Sequence, residues 1–416
     1  MGIKKISVKN FKSFGELEVE LGMFNVLIGT NASGKSNFVQ ILEFLRDIAY
    51  SGLNNAVSMQ GGVEYLRNIN IGSSENLSLK VVSDHEFGLL GGRTDEGLIG
   101  IKIYETIYEF VLRFKGKQKG GLGFEIRRDK LTQKFEFVRL KGNIEEEKLG
   151  PGEMNISCVN RRVNIDLHKP EGISIDEDDI FPLFLREKKL QTNTLLLENR
   201  FFFIPLLSEV FSNISIYDFD PKLPKKATPI TGKAELEEDG SNLSIVLKSI
   251  IENKNKKRKL FNLVKDIMPF IDDLDIERFA DKSLLFKLRE IYSEKQYLPA
   301  SLISDGTINI TALIIVLYFE EKPLTIIEEP ERNIHPYLIA KIVDMMKDAS
   351  RKKQIIVTTH NPEIVKHTDL ENLLLMSRDE KGFSMISRPA HKEEVRTFLK
   401  NEIGIEELYV QDLLEV

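Results

Sequence analysis

The chain has 416 residues, of which 42% are hydrophobic and 29% are charged, and its formal net charge is −6. This balance is that of a globular protein, so it excludes an intrinsically disordered chain and a molecule that attracts phosphate over its whole surface. The single cysteine, Cys158, excludes an internal disulfide and a multi-cysteine zinc site, and it favours a reducing, cytoplasmic setting.

No segment resembles a secretory signal or a membrane span. The amino-terminal residues run directly into an alternating, strand-like pattern, without the apolar stretch of a secretory signal. Ile310–Phe319 is apolar but far shorter than the roughly 20 residues that cross a bilayer, so it is predicted to be a buried helix. We therefore expect a cytoplasmic protein with no membrane partner.

The start of the chain has the order strand, strand, strand, loop, helix. Lys4–Lys9 and Leu17–Leu21 alternate apolar and polar residues, as paired half-buried strands do. Phe24–Ile28 is a short apolar run of strand length, and Asn37–Tyr50 carries apolar residues at helical spacing. Further β-like runs between residues 77 and 167 predict an antiparallel β-lobe.

The middle of the chain is predicted to be mainly helical, and the end returns to alternating strands and helices. Residues 243–251 and 259–270 show the clearest helical spacing, and Phe201–Phe203 is interpreted as core. The last third predicts three strands, separated by helices, at residues 324–327, 354–357 and 373–376. We expect an α/β fold in which the first and last thirds share one parallel sheet. The predicted parts are an N-terminal lobe at residues 1–166, a helical insert at 167–290 and a C-terminal lobe at 291–416.

The strongest motif is a P-loop. Gly29–Ser36 matches GxxxxGK[ST] in full, between a predicted strand and a predicted helix. Backbone N–H groups of such a loop surround phosphates, and the following helix presents its positive end to the same anion. Lys35 is expected to reach the β- and γ-phosphates of ATP and Ser36 to coordinate Mg²⁺. The other residues expected to line the nucleotide are Asn31, Ala32, Ser33, Gly34 and Asn37.

A Walker B element is predicted at Leu324–Pro330, an apolar run that ends in two adjacent carboxylates. A carboxylate at the end of a strand near a P-loop can hold the Mg²⁺ shell, and the next can polarise the attacking water. We assign Glu328 to the metal and Glu329 to the general base. Without a P-loop, such an acidic pair would be interpreted as the start of a solvated loop.

Two further elements make the class specific. Ser304-Asp305-Gly306-Thr307 precedes the Walker B strand, and Ile356–His360 follows it as a strand that ends in histidine. This order of motifs resembles an ABC-type ATPase head. The variant forms, together with Val8–Phe14 and Glu328–Glu331 followed by His335-Pro336, resemble the RecF/SMC/OLD-like branch rather than transporters, as an ATPase head without a TOPRIM nuclease module.

The resemblance implies a homodimer in which two heads sandwich two ATP molecules with Mg²⁺. Ser304 and Gly306 would act in trans on the γ-phosphate held by the opposite head, and a Ser-x-Gly turn at a helix start is a reasonable anion site. His360 would contact the γ-phosphate and take part in catalysis with Lys35 and Glu329. Without the other motifs, Ser304 would be interpreted as a helix N-cap.

The sequence departs from the family pattern in the signature and at the carboxylate assigned to the metal. Ile303, Asp305 and Thr307 replace the common Leu, Gly and Gln, and Glu328 replaces Asp. Gln60 is our candidate for the glutamine that bridges Mg²⁺ and the attacking water, and a loop glutamine is the alternative. Lys12 lies where similar heads carry a basic residue near the nucleotide, and a surface lysine is the alternative.

The preferred hypothesis is an ATP-hydrolysing dimerisation switch. Relatives within the resemblance act in DNA repair, DNA maintenance or antiphage defence. The chain lacks the long heptad arms of SMC proteins, and too few residues follow His360 for a nuclease module, so a separate nuclease or effector partner is expected. DNA and a higher oligomer are further expected partners.

Two alternatives remain open. The first is a scaffold that binds DNA or an effector on ATP binding, with negligible hydrolysis. The second is a transporter ATPase subunit, which the Asp-Gly-Thr signature and the β-rich lobe disfavour. A turnover measurement separates the first alternative from the preferred hypothesis.

Overall fold

The computed structural model describes residues 2–84, 87–94, 97–118, 121–141, 144–159, 161–173, 189–198, 210–280, 282–293, 295–400 and 404–414. Phe201–Phe203 lies outside these residues. The chain divides into two compact units, each built from separate stretches. The first unit comprises Met1–Met23, Ala32–Ile214 and Met376–Ile386, and the second comprises Phe24–Asn31, Ser215–Leu375 and Ser387–Val416.

The first unit is built on an antiparallel sheet, as predicted for the β-lobe. Its strands are β1 Ile3–Phe11, β2 Phe14–Glu20, β4 Leu77–Ser83, β5 Phe87–Thr94, β6 Gly97–Gln118, β7 Gly121–Lys141, β8 Ile144–Val159 and β9 Arg162–His168. Within the described residues their order is β2-β1-β4-β6-β7-β8-β9, with β5 also paired to β6. The long strands β6 and β7 carry the alternating apolar residues that bury one face of this sheet.

One helix buries its apolar face in the first unit. Among the described residues, the α-helices of this unit are α1 Lys35–Ser51, α2 Leu53–Met59 and α3 Val63–Leu66. Apolar residues of α1 recur at helical spacing and are buried, and Phe44 lies between the rings of Phe11 and Phe110 at centroid distances of 5.9 and 6.4 Å. Gly52, at φ 88°, ends α1. The helix that follows the P-loop is therefore anchored by its aromatic core.

The second unit is centred on a mainly parallel sheet. Its strands β3 Phe24–Ile28, β10 Ile214–Tyr217, β15 Leu324–Glu328, β16 Gln354–Thr359 and β17 Leu373–Arg378 lie in the order β10-β15-β16-β3-β17. Strand β16 is parallel to both β15 and β3, so the first and last thirds of the chain share one sheet, as predicted. Every residue of β3 and β16 is buried, as expected of parallel strands covered on both faces.

Among the described residues, seven α-helices of the second unit share one buried core with the strands of this sheet. They are α4 Leu243–Glu252, α5 Lys254–Ile267, α6 Asp305–Tyr318, α7 Pro336–Ala349, α8 Pro362–Lys366, α9 Glu393–Lys400 and α10 Ile405–Val410. Every residue of α6 from Thr307 to Leu317 is buried, which confirms the buried helix predicted there. Within the part of the chain that the structure describes, no helix is both long and apolar enough to cross a bilayer.

Residues 167–290 were predicted to be mainly helical, and the end of this region, residues 271–290, departs from that prediction. They form an antiparallel hairpin of β12 Ile271–Phe279 and β13 Ser283–Glu290, joined in a small sheet by β11 Thr228–Pro229 and β14 Leu298–Pro299. A register shift between Ile271 and Asp273 lets Ile271 and Leu274 both be buried, three positions apart. This bulge imitates helical spacing. Helices α4 and α5 do match the predicted segments.

The stretch Met376–Ile386 belongs to the first unit although it lies late in the sequence. It contains the end of β17 and most of β18 Ser384–Ser387, which follows β17 in the sheet order. The turn between these strands is closed by the Asp379 N–H, which donates to the Phe383 carbonyl at 2.9 Å. We call residues 376–386 the C-terminal hairpin.

Candidate active site

The P-loop joins β3 to α1, the strand–loop–helix context that its motif requires. Ala32 and Gly34 have φ values of 63° and 117°, in the region that favours glycine. A Cβ at Gly34 would lie 2.2 Å from the Ser384 Oγ and 3.0 Å from the Ser13 Oγ. Glycine at this position is therefore required by both the backbone angle and the space.

Two side chains of the C-terminal hairpin bind carbonyl groups of the P-loop. The Arg378 Nε donates to the Ala32 carbonyl at 2.7 Å, and the Ser384 hydroxyl donates to the Ser33 carbonyl at 2.6 Å. Ser384 is fully buried, and its Oγ is also 2.8 Å from the Ser13 Oγ. Sequence analysis missed Arg378 and Ser384 because no local pattern links them to a motif more than 340 residues away.

The residues predicted to bind phosphate lie in the loop and in the first turn of α1. Lys35 opens the helix, Ser36 is exposed, Asn37 is half-buried, and Asn31 is exposed at the start of the loop. The N-cap position is Gly34, which has no side chain to bond the N–H groups of the first turn. This helix start can bind an anion through its backbone N–H groups.

Lys12 and Gln60 lie in the first unit, and Glu43 of α1 interacts with both. The Gln60 Nε2 donates to the Glu43 Oε2 at 3.5 Å from a buried position. Burial lowers the pKa of Lys12, and the charge of Glu43 opposes this shift. The Lys12 backbone is fixed on both sides, since its N–H donates to the Leu66 carbonyl and its carbonyl accepts from the Asn68 Nδ2.

In the second unit, β15 ends at the two predicted Walker B carboxylates. Glu328 is the last residue of β15 and is in register with Thr358 of β16. Glu329 has a φ of 44°, and its N–H donates to the Thr358 carbonyl at 2.9 Å. The chain thus turns sharply as it leaves the sheet. The carboxyl ends of parallel strands are where α/β proteins bind ligands.

The structure brings Glu329 and His360 together. The Glu329 Oε1 lies 2.8 Å from the His360 Nδ1, and its Oε2 lies 3.1 Å from the Arg332 Nη2. Arg332 also donates from Nη1 to the Asp218 Oδ1 at 2.7 Å. Burial raises the pKa of Glu329, but Arg332 and His360 lower it by more, so the net pKa lies below its usual value. Both oxygens of this carboxylate are therefore engaged.

Glu331 is a buried carboxylic acid that sequence analysis did not single out. The Thr359 Oγ1 donates to its Oε1, while its Oε2 is buried and, among the described residues, has no hydrogen-bond partner. Burial raises the pKa of Glu331, and Thr359 opposes this shift. Thr359 also accepts from the Asn361 N–H at 2.9 Å. The hydrogen bond between Glu331 and Thr359 thus holds the loop after Glu329 at the end of β16.

The signature residues lie at the start of α6. Ser304 is the exposed N-cap, as its alternative interpretation predicted, and its Oγ accepts a first-turn N–H at 3.1 Å. A Cβ at Gly306 would lie 2.6 Å from the Asn333 carbonyl, so glycine lets this helix approach the loop after Glu329. The Asn309 Nδ2 donates to the Arg332 carbonyl at 2.8 Å. The signature helix and this loop form one packed assembly.

The residues assigned to the metal suit Mg²⁺ by their chemistry. Ser36 offers a hydroxyl, Glu328 a carboxylate and Gln60 an amide carbonyl, and Mg²⁺ prefers oxygen ligands together with water and substrate phosphates. Across the described ranges, no group of three or more His, Cys, Asp or Glu side chains is arranged to hold a metal ion by itself.

Comparison with known proteins supports the class of the site. The family model described as "AAA domain, putative AbiEii toxin, Type IV TA system" matches residues 24–366, from β3 to the end of α8. The chromosome partition protein Smc of Methanocaldococcus jannaschii is 26% identical over 319 residues, which are 70% of this chain and 24% of that protein. The chain thus spans about a quarter of the length of this curated relative.

Solved structures with a similar course of the chain are heads of SMC proteins. The SmcHead bound to the C-winged helix domain of ScpA is 14% identical, with a TM-score of 0.49, over 93% of this chain and 98% of that one. The Smc head domain bound to the C-terminal domain of ScpA derived from Pyrococcus furiosus is 13% identical, with a TM-score of 0.45, over 96% and 99%.

Proposed function

The chain belongs to the AAA-domain family whose model it matches, as an ABC-type P-loop ATPase of the SMC/RecF-like branch, and on that premise we propose that it is an ATP-hydrolysing dimerisation switch. The observation that carries this proposal is the contact between Glu329 and His360, which joins the proposed base to the strand-terminal histidine. Both follow parallel strands of one sheet, where catalytic groups of α/β proteins are commonly placed.

The chain's own residues divide the work between binding and proton transfer. Lys35 and the N–H groups of the loop bind the phosphates, and Ser36 and Glu328 would hold Mg²⁺, with Gln60 as the third candidate. Bound Mg²⁺ would neutralise charge on the phosphate oxygens. Glu329 accepts a proton from the attacking water, and His360 contacts the γ-phosphate. The carboxylate has about four acceptor positions, so it can accept a hydrogen bond from the attacking water beside its present partners or in place of one of them.

The proposed dimer completes each site with the signature of the other head. Ser304 is exposed at the start of α6, so this N-cap residue is accessible to a phosphate from another head. Gly306 packs against the loop after Glu329. Binding of a phosphate to the signature would therefore affect the position of Glu329, the proposed general base, in the same head. ATP bound between two heads would thus favour closure, and hydrolysis would release it.

We further propose a separate effector, in DNA repair, DNA maintenance or antiphage defence. The relatives supply the grounds: one is a chromosome partition protein, two are heads bound to domains of ScpA, and the family description names a toxin of a toxin–antitoxin system. The closed dimer, or a higher oligomer, would bind the effector, with DNA as an additional partner.

A scaffold with negligible hydrolysis is the second candidate, and one observation favours it. Both oxygens of Glu329 are engaged by cationic or potentially cationic groups that depress its pKa, which makes it a weak base in this conformation. If this arrangement persists in the ATP-bound dimer, ATP would close the heads without being hydrolysed efficiently.

ATP turnover and light-scattering mass, with and without ATP and Mg²⁺, test the proposal on wild type, Lys35→Ala and Glu329→Gln. We expect Lys35→Ala to lose ATP binding, because the loop loses its only cation for the phosphates. Glu329→Gln should bind ATP, lose turnover and accumulate as a dimer. Equal loss of binding in both variants contradicts the assigned roles. ATP-dependent dimerisation of a wild type without turnover supports the scaffold.

A further inference from the structure

We propose that Arg378 and Ser384 of the C-terminal hairpin are positioning residues that preset the P-loop for the phosphates of ATP. The proposal rests on the proposed function, because it concerns how the same loop binds nucleotide. Neither residue belongs to a recognised motif, and both lie in the first unit together with Ala32–Ser36. Their contacts with the loop run through its carbonyl oxygens, so they act on backbone geometry and not on the nucleotide itself.

The bonding of Ser384 is determined by its single hydroxyl proton. The Ser33 carbonyl can only accept, so Ser384 must donate to it, at 2.6 Å. The Ser13 hydroxyl must then donate to the Ser384 Oγ, at 2.8 Å. The backbone reinforces this arrangement, since the Ser384 N–H donates to the Ser13 carbonyl at 2.9 Å. Ser384 thus links the β1–β2 turn to the P-loop at a fully buried position.

Arg378 binds the carbonyl of the preceding loop residue, Ala32. Its Nε donates to the Ala32 carbonyl at 2.7 Å, and its Nη1 donates to the Gly382 carbonyl at 3.1 Å. The Asp379 Oδ1 accepts the N–H groups of Lys381 and Phe383 at 2.9 and 2.8 Å, which makes the turn of the hairpin rigid. The guanidinium is therefore held at both ends by backbone carbonyls.

Because the peptide group is planar, these two hydrogen bonds also fix the direction of the N–H groups of the loop that would bind phosphate. In a trans peptide, the carbonyl and the following N–H point in opposite directions. Fixing the carbonyls of Ala32 and Ser33 toward the hairpin therefore turns the N–H groups of Ser33 and Gly34 away from it, toward the side on which a nucleotide would lie. The positive φ of Ala32 is costly for a residue with a Cβ, whereas glycine adopts that of Gly34 without such a cost, and the hydrogen bond from Arg378 to the Ala32 carbonyl offsets the cost at Ala32.

Preset donors matter because they need no reorganisation when the anion arrives. Without Arg378 and Ser384, these peptide planes could rotate, and part of the binding free energy would be used to order them. The hairpin would then be a determinant of ATP affinity, with little effect on the chemical step once ATP is bound. A loss of ATP affinity without a loss in the rate of the chemical step would therefore distinguish positioning of the loop from a general structural role.

Equilibrium binding of ATP to the full chain tests the proposal with Ser384→Ala and Arg378→Met. Loss of the buried hydrogen bond of Ser384, or of the more exposed one of Arg378, to a constrained carbonyl should weaken ATP binding roughly three- to tenfold, with the larger effect in Ser384→Ala. Where turnover is measurable, KM should rise by the same factor while kcat at saturating ATP stays within about twofold. Arg378→Lys should recover part of the affinity, because it keeps a cationic donor.

Arg388→Met is a matched control, because the Arg388 Nη1 donates to a carbonyl outside the P-loop, that of Glu371, at 3.0 Å. It should bind ATP as wild type does. If Ser384→Ala does not fold, the exposed Arg378 keeps the proposal testable. Wild-type affinity in both hairpin variants overturns this inference alone. A wild type that binds no ATP overturns the proposed function, and this inference with it.

Discussion

The proposed site residues of the two units are held in different ways. In the first unit, the P-loop is held by hydrogen bonds to its backbone carbonyls from Arg378 and from the buried Ser384. In the second unit, Glu329 is held through its side chain, by Arg332 and by the half-exposed His360. The backbone of the P-loop is therefore fixed by neighbouring groups, whereas the Glu329 side chain is held by partners that it can exchange.

The energetics of the two kinds of contact agree with this difference. A buried hydrogen bond is costly to lose, because its partner is left without one. An exposed ion pair contributes only about 0–1 kcal/mol, so exchanging one partner of Glu329 for water costs little. The contacts of the P-loop are thus the costlier to break and those of Glu329 the easier to exchange, as the proposed function requires of a binding loop and a reacting carboxylate.

The largest expected effect is that of Gly34→Ala. The added Cβ would lie 2.2 Å from the Ser384 Oγ, at a φ of 117° that L side chains rarely adopt. The loop must deform, so we expect ATP affinity to fall by more than about 100-fold in calorimetric titration. Gly62→Ala is the control, because Gly62 also has a positive φ, of 96°, but no atom lies within 4 Å of its added Cβ. Comparable losses in both variants would mean that strain alone, without the hairpin, accounts for the effect.

The same type of substitution in the second unit, Gly306→Ala, should have a different consequence. Its Cβ would lie 2.6 Å from the Asn333 carbonyl, which pushes the signature helix away from the loop after Glu329. We expect turnover to fall roughly tenfold or more while ATP binding to a single head stays within about twofold. Leu302→Ala, at an exposed side chain just before the signature, should leave both quantities unchanged. Loss of ATP affinity in Gly306→Ala would contradict the assignment of ATP binding to the P-loop and of turnover to the region around Glu329.

The smallest expected effect concerns the buried contacts of the first unit. Burial raises the pKa of Asp129 to about 7, although it accepts hydrogen bonds from the Leu196 N–H and the Tyr108 hydroxyl at 2.7 and 2.9 Å. Because this folded-state pKa lies above the unfolded value, the contribution to stability is full below about pH 4 and is lost as pH rises to about 7. Wild type should therefore lose a few degrees more in Tm than Asp129→Asn between pH 4 and pH 7.

Asp166→Asn, at an exposed carboxylate of β9, controls for the general titration of surface acids in this comparison. It should follow the wild-type pH profile. If Asp129→Asn also follows that profile, Asp129 does not titrate in this range, and the buried contacts of the first unit are not sensitive to pH.

Local sequence patterns predicted the parts of the site that lie within one motif. The P-loop, the Walker B carboxylates and His360 could be located because each lies at a fixed position beside an apolar strand. Arg378 and Asp218 could not, because their partners are distant in sequence and arginine or aspartate alone carries no signal. The helical expectation for residues 271–290 failed because a bulge gave a strand the spacing of a helix.

The late position of the C-terminal hairpin has a consequence for synthesis of the chain. Domains fold as units while the ribosome extends the chain, from the N-terminal end. The β-lobe strands and the P-loop all emerge early, but the two side chains that hold the Ala32 and Ser33 carbonyls follow only at Arg378 and Ser384. If the hairpin presets the P-loop as proposed, a nascent chain should acquire full ATP affinity only after Ser384 has been synthesised.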